Sequence, residues 1–342
     1  MRKKVVSILN YLVFLLLGIL LLWLSFRKVD LSSVWNEMRQ AHYFWLFLSL
    51  ILVLISHLFR ALRWNLLIGA MDYKTRLWST FFALMTGYLV NTGVPRAGEF
   101  VRCGVLTKKE NIPFNALFGT VISERFVDLL VLVLLIFLVI VFQLQLMGNF
   151  LHTYFDPFVQ KVFSNAWNIG IIIFVFVLLA GLIYAYLRKH KDHFKQIPFF
   201  QKSHLFLKGV VEGMKTIGKM ERKWLFFFYT FLIWLFYALM VYYPVRMFAE
   251  TSGLQFVDGL TLLAIGSLGI VAPVPGGIGA YHYIIKAVLV ELYHITPQTA
   301  ISFATLTHAG QTLLNISVGS LGYLVLFLTR YQKPKNDKPR TN

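Results

Sequence analysis

The chain is poor in cysteine, in acidic residues and in charge of any kind. Its single cysteine, Cys103, excludes an intrachain disulfide and reads as a small apolar residue on a helix. Charged residues are 14% of the 342, well below the roughly 25% of soluble domains. That scarcity excludes an ordinary water-soluble fold. The sequence has no P-loop, no zinc-ligand spacing and no G-x-S-x-G elbow. It therefore gives no support to an ATPase or a hydrolase, and points to no metal or other cofactor.

What fills the chain instead is apolar: 58% of residues are hydrophobic. Runs such as "VVSILNYLVFLLLGILLLWLSF" recur from end to end, and about 20 residues of helix match the hydrocarbon core of a bilayer. The first run follows "MRKK", as in a signal peptide. It is longer than an h-region and lacks a small-residue cleavage site, so it reads as a span. Full spans are expected at residues 5–26, 44–66, 116–146, 167–187, 224–247 and 298–328.

Two apolar segments are interrupted. Residues 77–106 break at "VPRAG" and residues 256–295 at "PVPGGIG". Each half is marginal or too short to cross alone. Charge decides between topologies for the first. If residues 77–94 crossed fully, the basic stretch 188–223 and the basic tail would face outward, against the positive-inside bias. If both segments are re-entrant hairpins, most of the 33 Lys/Arg fall on the cytoplasmic side, with both termini. For the second segment, two thin spans give the same parity. The net charge of +18 is thus accounted for by span flanks and needs no nucleic-acid partner. The stretch 188–223 is expected to lie on anionic headgroups at the cytoplasmic face, and residues 331–342 to form a disordered basic tail. Trp23, Trp45, Trp64, Trp78, Trp224 and Tyr331 lie near span ends, where an interfacial belt is expected.

The expected order is span, span, hairpin, span, repeated once. Three crossings per half turn the second half upside down relative to the first. Phe44 and Trp224 stand 180 residues apart, and so do Pro95 and Pro275. The expected fold class is therefore an all-α polytopic membrane protein with six full spans plus two re-entrant or broken-helix hairpins. It forms one transmembrane domain over residues 1–330, with inverted repeats at about 1–146 and 167–330. Interrupted helices at matching positions are a transporter plan with a midplane site.

Irregular backbone at membrane depth needs protein or water around it, so the breaks mark shielded ground. In "NTGVPRAGEFVR", Gly98 permits a turn and Pro95 removes a donor. A helix starting at Gly98 could offer free N–H groups to a phosphate or carboxylate, with Arg96 or Arg102 beside it and Glu99 as resident counter-ion. In "ISERFVDLL", Glu124 and Asp128 share one helix face and Arg125 can bridge to Asp128. Charges this deep call for partners, and Arg96, Arg102 and Arg63 are expected to supply them. At the second break, Gly276, Gly277 and Gly279 allow positive φ between Pro273, Pro275 and the next helix. That helix carries His282, a site candidate, and Lys286, a snorkelling candidate. His308, Gln311 and Asn315 share a face of the last span, suited to interhelical hydrogen bonds.

"RALRW", "N-x-x-x-P-R-A-G-E-x-x-R" from Asn91, "ER-x-x-D" and "P-x-P-G-G-I-G" occur in this order over most of the chain. Together they resemble the transmembrane region of lysylphosphatidylglycerol synthases, in its stand-alone, flippase-like form. Where that family often has a glutamate after the last motif, this chain has His282. The resemblance implies handling of a membrane phospholipid or lipid-linked substrate in the bacterial cytoplasmic membrane, bound at Arg63, Asn91, Arg96, Gly98, Glu99, Arg102, Glu124, Arg125, Asp128 and His282. In fused synthases the aminoacyl-transfer activity sits in a soluble C-terminal domain. This chain runs 14 residues past Leu328, so the expectation is a flippase and not an enzyme. Two alternatives stay open: an ion-coupled small-solute transporter, and a non-transporting lipid-binding partner in envelope or glycan biogenesis. A homo-oligomer is compatible with either.

Overall fold

A computed structural model describes residues 2–27, 29–143, 218, 220–271 and 274–329. The expected span at 167–187, nearly all of the basic stretch 188–223, Pro273 and the tail 331–342 lie outside these residues. The chain divides into two compact units, residues 1–139 with 213–342 and residues 140–212. The second falls almost wholly outside the described residues, and the architecture below is that of the first.

Every regular element among the described residues is helical. In chain order these are α1 (Arg2–Phe26), α2 (Leu31–Gln40), α3 (Tyr43–Gly69), α4 (Leu77–Gly93), α5 (Gly98–Glu110), α6 (Phe114–Phe142), α7 (Lys223–Tyr242), α8 (Phe256–Val271), α9 (Ala280–Glu291) and α10 (Pro297–Leu328). Short 3₁₀ turns at Tyr243–Met247 and Pro275–Gly277 join α7 to α8 and α8 to α9. Among the described residues, four helical segments are long and apolar enough to cross a bilayer: Tyr43–Gly69, Phe114–Phe142, Lys223–Met247 and Pro297–Leu328. They coincide with four expected spans. The bent pair α1 and α2, at 85°, makes a fifth if it is taken as one span.

The interruptions are real helix breaks. Residues 94–97 separate α4 from α5, and Arg96 there adopts φ 62°. The two helices flanking each break pack against each other. Gly98 at the start of α5 lies against Gly87 of α4, and Cys103 and Leu106 share a core with Ala83. Likewise Gly269 of α8 faces Ala280 and Ile284 of α9, and Gly266 faces Tyr281 and Ile285. The two turns meet: Gly276 lies against the Thr92 backbone, and His308 of α10 bonds the Gly276 carbonyl at 2.9 Å.

Polar contacts tie helix ends together in two groups. At one end of the bundle Asn65 Oδ1, late in α3, accepts from Thr75 and Thr80 around the start of α4. There Lys109 of α5 donates to the Thr329 carbonyl beyond α10 at 2.7 Å. At the other end the His42 N–H donates to the Met247 carbonyl, and Glu250 accepts from Thr296 before α10. Lys286 of α9 donates to the Ser25 carbonyl of α1 at 2.6 Å, so its ammonium is anchored and does not snorkel.

The core gathers Trp64, Ile68, Ala83, Cys103, Leu106, Ile112, Leu117, Val121 and Leu326, joining α3, α4, α5, α6 and α10. The outward faces stay apolar, as a lipid-facing surface requires: Leu130, Val133, Leu134 and Phe137 of α6 are exposed.

Helix α2 is the one clear addition to the expected elements. It is short and amphipathic, with Val34 buried against Ile301 and Phe26 while Leu31 and Trp35 face outward. Asp30 starts it, accepting the Ser32 and Ser33 N–H groups as an N-cap. Bonds from the Ser33 and Ser32 hydroxyls, then from their N–H groups, pull the Asp30 carboxyl down to about 2. A depressed carboxyl stabilises the fold fully above its unfolded value near 3.9. That support is expected to fade as pH falls from about 4 toward 2, with the protection factors of the α2 amides falling there. Asp30→Ala should show the low protection already at neutral pH; protection equal to wild type in the variant would remove the capping role.

Candidate functional site

Three helices, the apolar α3 and α6 and the more polar α5, each bring charge inward. On α3, Arg60 and Arg63 stand one turn apart on the side facing α4, α6 and α7. On α5, Glu99 and Arg102 do the same, and α6 supplies Glu124, Arg125 and Asp128. Arg63 and Glu124 have no exposed side-chain surface and Arg102 only 2%. Ionised groups are costly in such surroundings unless paired, and they are paired throughout.

Arg102 Nη2 meets Glu124 Oε2 at 2.8 Å, and Arg63 Nη2 meets Glu124 Oε1 at 3.4 Å. Arg63 Nη1 meets Asp128 Oδ1 at 2.8 Å, with Arg60 Nη2 at 3.8 Å from Asp128 Oδ2. Arg125 reaches Asp128 Oδ2 at 3.5 Å and Glu99 Oε1 at 3.7 Å. The ion pairs run in a chain of alternating sign: Glu99, Arg125, Asp128, Arg63, Glu124, Arg102. Its two ends stand one turn apart on α5, so the six groups make a ring closed by the helix and not by a further ion pair. Arg60 joins at Asp128.

Neutral groups hold the arginines in place. Arg60 Nη1 donates to Tyr88 at 2.5 Å and Tyr237 at 3.1 Å, and Arg63 Nη1 donates to Thr230 at 3.2 Å. The Arg102 guanidinium lies over the Trp64 ring at 4.5 Å, while the Trp64 indole N–H donates to Thr120 of α6 at 2.8 Å. Helices α3, α4, α5, α6 and α7 therefore all converge on the ring.

The ring is not internally satisfied. Four arginines face three carboxylates, one positive charge in excess. Among the described residues, Arg102 Nη1 and Nε, Arg63 Nε and Arg60 Nε have no hydrogen-bond partner. Buried donors normally find one. A monoanion would balance the charge, and its oxygens are the kind of acceptor these donors lack.

Arg63, Arg102, Glu124, Arg125, Asp128 and Glu99 are brought together; the four other sequence candidates, Asn91, Gly98, Arg96 and His282, are not in the ring. Asn91 stands beside it, accepting the Gly98 N–H at 2.7 Å and approaching Glu99 through Nδ2 at 3.5 Å. The first N–H of α5 is thus occupied by a side chain of α4 and not offered to an anion. Arg96, expected as a partner of Glu124 and Asp128, is exposed at the apex of the turn. A four-residue turn leaves its side chain at the rim, whereas Arg102, one turn into α5, can point inward. His282 lies elsewhere, packed on His308 with ring centroids 4.9 Å apart and accepting the Gly279 N–H at 3.4 Å. Gln311 and Asn315 follow His308 on α10, and Asn315 Oδ1 has no partner among the described residues. Sequence reasoning gave no binding role to Arg60, quoted only as the first residue of "RALRW", and passed over Tyr88 and Tyr237. For Arg60 the signal was present, a second arginine in the same apolar helix as Arg63. Tyr88 and Tyr237 carry no such mark.

The sequence profile of the lysylphosphatidylglycerol synthase TM region matches residues 9–319. The chain belongs to this family. A UPF0104 membrane protein of Methanocaldococcus jannaschii is 25% identical over 175 residues, 50% of this chain and 48% of that protein. The chain thus matches about half the length of that relative. No solved structure matches it. Family membership and the long apolar helices make this a polytopic membrane protein.

Proposed function

We propose that this protein is a lipid translocase of the bacterial cytoplasmic membrane, moving an anionic or lipid-linked headgroup between leaflets. The observation that carries this reading is the ring: buried at five converging helices, one positive charge in excess, with guanidinium donors left over. A lipid phosphate supplies the missing charge and acceptors.

The contacts between helix ends support a matching architecture. The outer ends of α4 and α5 are tied to the end of the bundle that holds Asn65 and Thr329. Those of α8 and α9 are tied to the end that holds Met247, Thr296 and Ser25. This favours re-entrant hairpins entering from opposite faces; together with the span expected at 167–187, which lies outside the described residues, the proposal is six crossings and an inverted repeat. The positive-inside bias then puts the Asn65 end, and both termini, in the cytoplasm. Charge movement and helix positioning are the protein's part; we assign it no aminoacyl transfer.

The test is transbilayer movement of labelled phospholipid in proteoliposomes. The wild-type protein should accelerate it, and Arg125→Gln or Asp128→Asn should slow it at least tenfold, equivalent to about 1.4 kcal/mol of lost stabilisation. Movement no faster than in protein-free vesicles, for every headgroup tried, ends the proposal. Substrate-driven proton or sodium flux without lipid movement would instead favour a small-solute transporter.

A further inference from the structure

The ring is unevenly buried. Its inner members, Arg63, Glu124 and Arg102, are closed off, whereas the Arg125 side chain is 39% exposed and that of Glu99 is 26% exposed. This open edge lies deep. Glu99 stands 11 residues from the end of α5 and Arg125 stands 11 residues into α6. At 1.5 Å per residue both are about 17 Å along their helices, near the middle of a hydrocarbon core about 30 Å thick. Half-exposed charges at that depth are unfavourable against lipid tails. They become favourable if a charged headgroup comes to them.

The seam between α5 and α6 is built for that approach. Phe114 near the start of α6 stacks on Phe118 at 5.8 Å, and Phe118 stacks on Phe100 of α5 at 4.9 Å. Phe100 is 55% exposed and adjoins Glu99. An apolar ladder thus runs from the end of the bundle up to the charged edge. Immediately behind that edge, one turn along α5, Arg102 presents its unpartnered Nη1 and Nε.

We propose that the α5–α6 seam is the lateral entry for the phosphate of an anionic phospholipid, with Arg125 as its first receptor and Glu99 as the group it displaces. This rests on the lipid reading above. The Arg125–Glu99 contact, at 3.7 Å, is the longest of the ring pairs beside Arg60–Asp128, and is half-solvated, so exchanging one carboxylate for one phosphate is inexpensive. Glu99 retains Asn91 as a partner when it lets go. One turn further in, the buried Arg102 keeps Nη1 and Nε for the phosphate, without breaking the 2.8 Å pair to Glu124. A monoanionic phosphodiester neutralises the excess charge of the ring. A zwitterionic lipid brings an extra cation beside four arginines, so phosphatidylglycerol should be preferred over phosphatidylcholine.

The test reads binding, not transport: native mass spectrometry of protein equilibrated with equal phosphatidylglycerol and phosphatidylcholine. Glu99→Gln should raise phosphatidylglycerol retention about fivefold, because it removes the competitor for Arg125, and Arg125→Gln should lower it by a similar factor, as expected for an exposed pair worth about 1 kcal/mol. Equal losses in both variants would mark the pair as a structural lock and overturn the entry role. In the otherwise unaltered chain, p-benzoylphenylalanine at position 100 should cross-link phosphatidylglycerol several-fold more than the same group at position 321, an exposed site on α10. Equal cross-linking overturns the seam even if Arg125→Gln fails to fold. Loss of lipid preference with transport intact removes only the entry proposal; intact preference without transport removes only the translocase reading.

Discussion

Glu124→Ala is expected to destabilise the protein by about 3–5 kcal/mol, the usual result of removing one partner from a buried ion pair. Glu124 has no exposed surface and, among the described residues, is the one carboxylate paired with both Arg63 and Arg102. Without it, those two guanidiniums face each other at 0% and 2% exposure, with unpartnered N–H groups already on both. Asp128 cannot compensate, since it is already shared by Arg60, Arg63 and Arg125. Denaturation in detergent should show a much lower midpoint. Asn36→Ala, on the exposed face of α2, should stay within about 0.5 kcal/mol of wild type. Adding Arg102→Met to Glu124→Ala should recover much of the loss, because an apolar side chain of similar reach can replace a buried charge. A single-variant loss below about 1 kcal/mol, or no recovery in the double variant, would falsify the view that the ring is held by mutual compensation.

Gly98→Ala is the second large effect, and it acts through backbone contact. A Cβ at this position would run into the Gly87 carbonyl oxygen and come within 2.7 Å of Asn91 Cγ and Nδ2. The carbonyl belongs to α4 and cannot rotate away. Either α5 shifts outward or the Asn91–Gly98 bond breaks. Overpacking and one lost hydrogen bond together amount to about 2–4 kcal/mol. Because α5 also carries Glu99 and Arg102, lipid movement should fall with stability. Gly104→Ala, on the same helix with nothing within 4 Å of its added Cβ, should be neutral or stabilising by about 0.5–1 kcal/mol. Similar behaviour of the two variants in thermal melts would contradict the close packing of α4 on α5. Gly279 is the counterpart at the second break: φ is 82° and a Cβ there meets the Gly18 carbonyl of α1.

How much of this was legible in the chain follows from the range of the forces involved. Helix 43–69 was expected at 44–66 and helix 114–142 at 116–146, because hydrophobic run length alone decides what crosses a bilayer. The break at Pro95 was legible for a local reason as well, since proline and the residue before it resist helical geometry. Helix α2 was missed although "VDLSSVW" contains its cap, because ten residues of mixed polarity give too short a period. The rule that buried charge needs a partner marked Glu124, Asp128, Arg63 and Arg102 as belonging together.

By itself, then, the sequence determined that the chain is helical and membrane-embedded, where its helices break, and which charges had to be paired. Those outcomes depend on composition and on neighbours within a few residues. Only the tertiary structure decided which charges pair with which. Arg102 and not Arg96 reaches Glu124, Arg60 finds Tyr88 and Tyr237, and His282 turns to His308 instead of the ring. The reason is distance: an ion pair is settled over 3–4 Å, and the rotation and depth of the converging helices fix that separation between residues as far apart in the chain as Arg63 and Asp128.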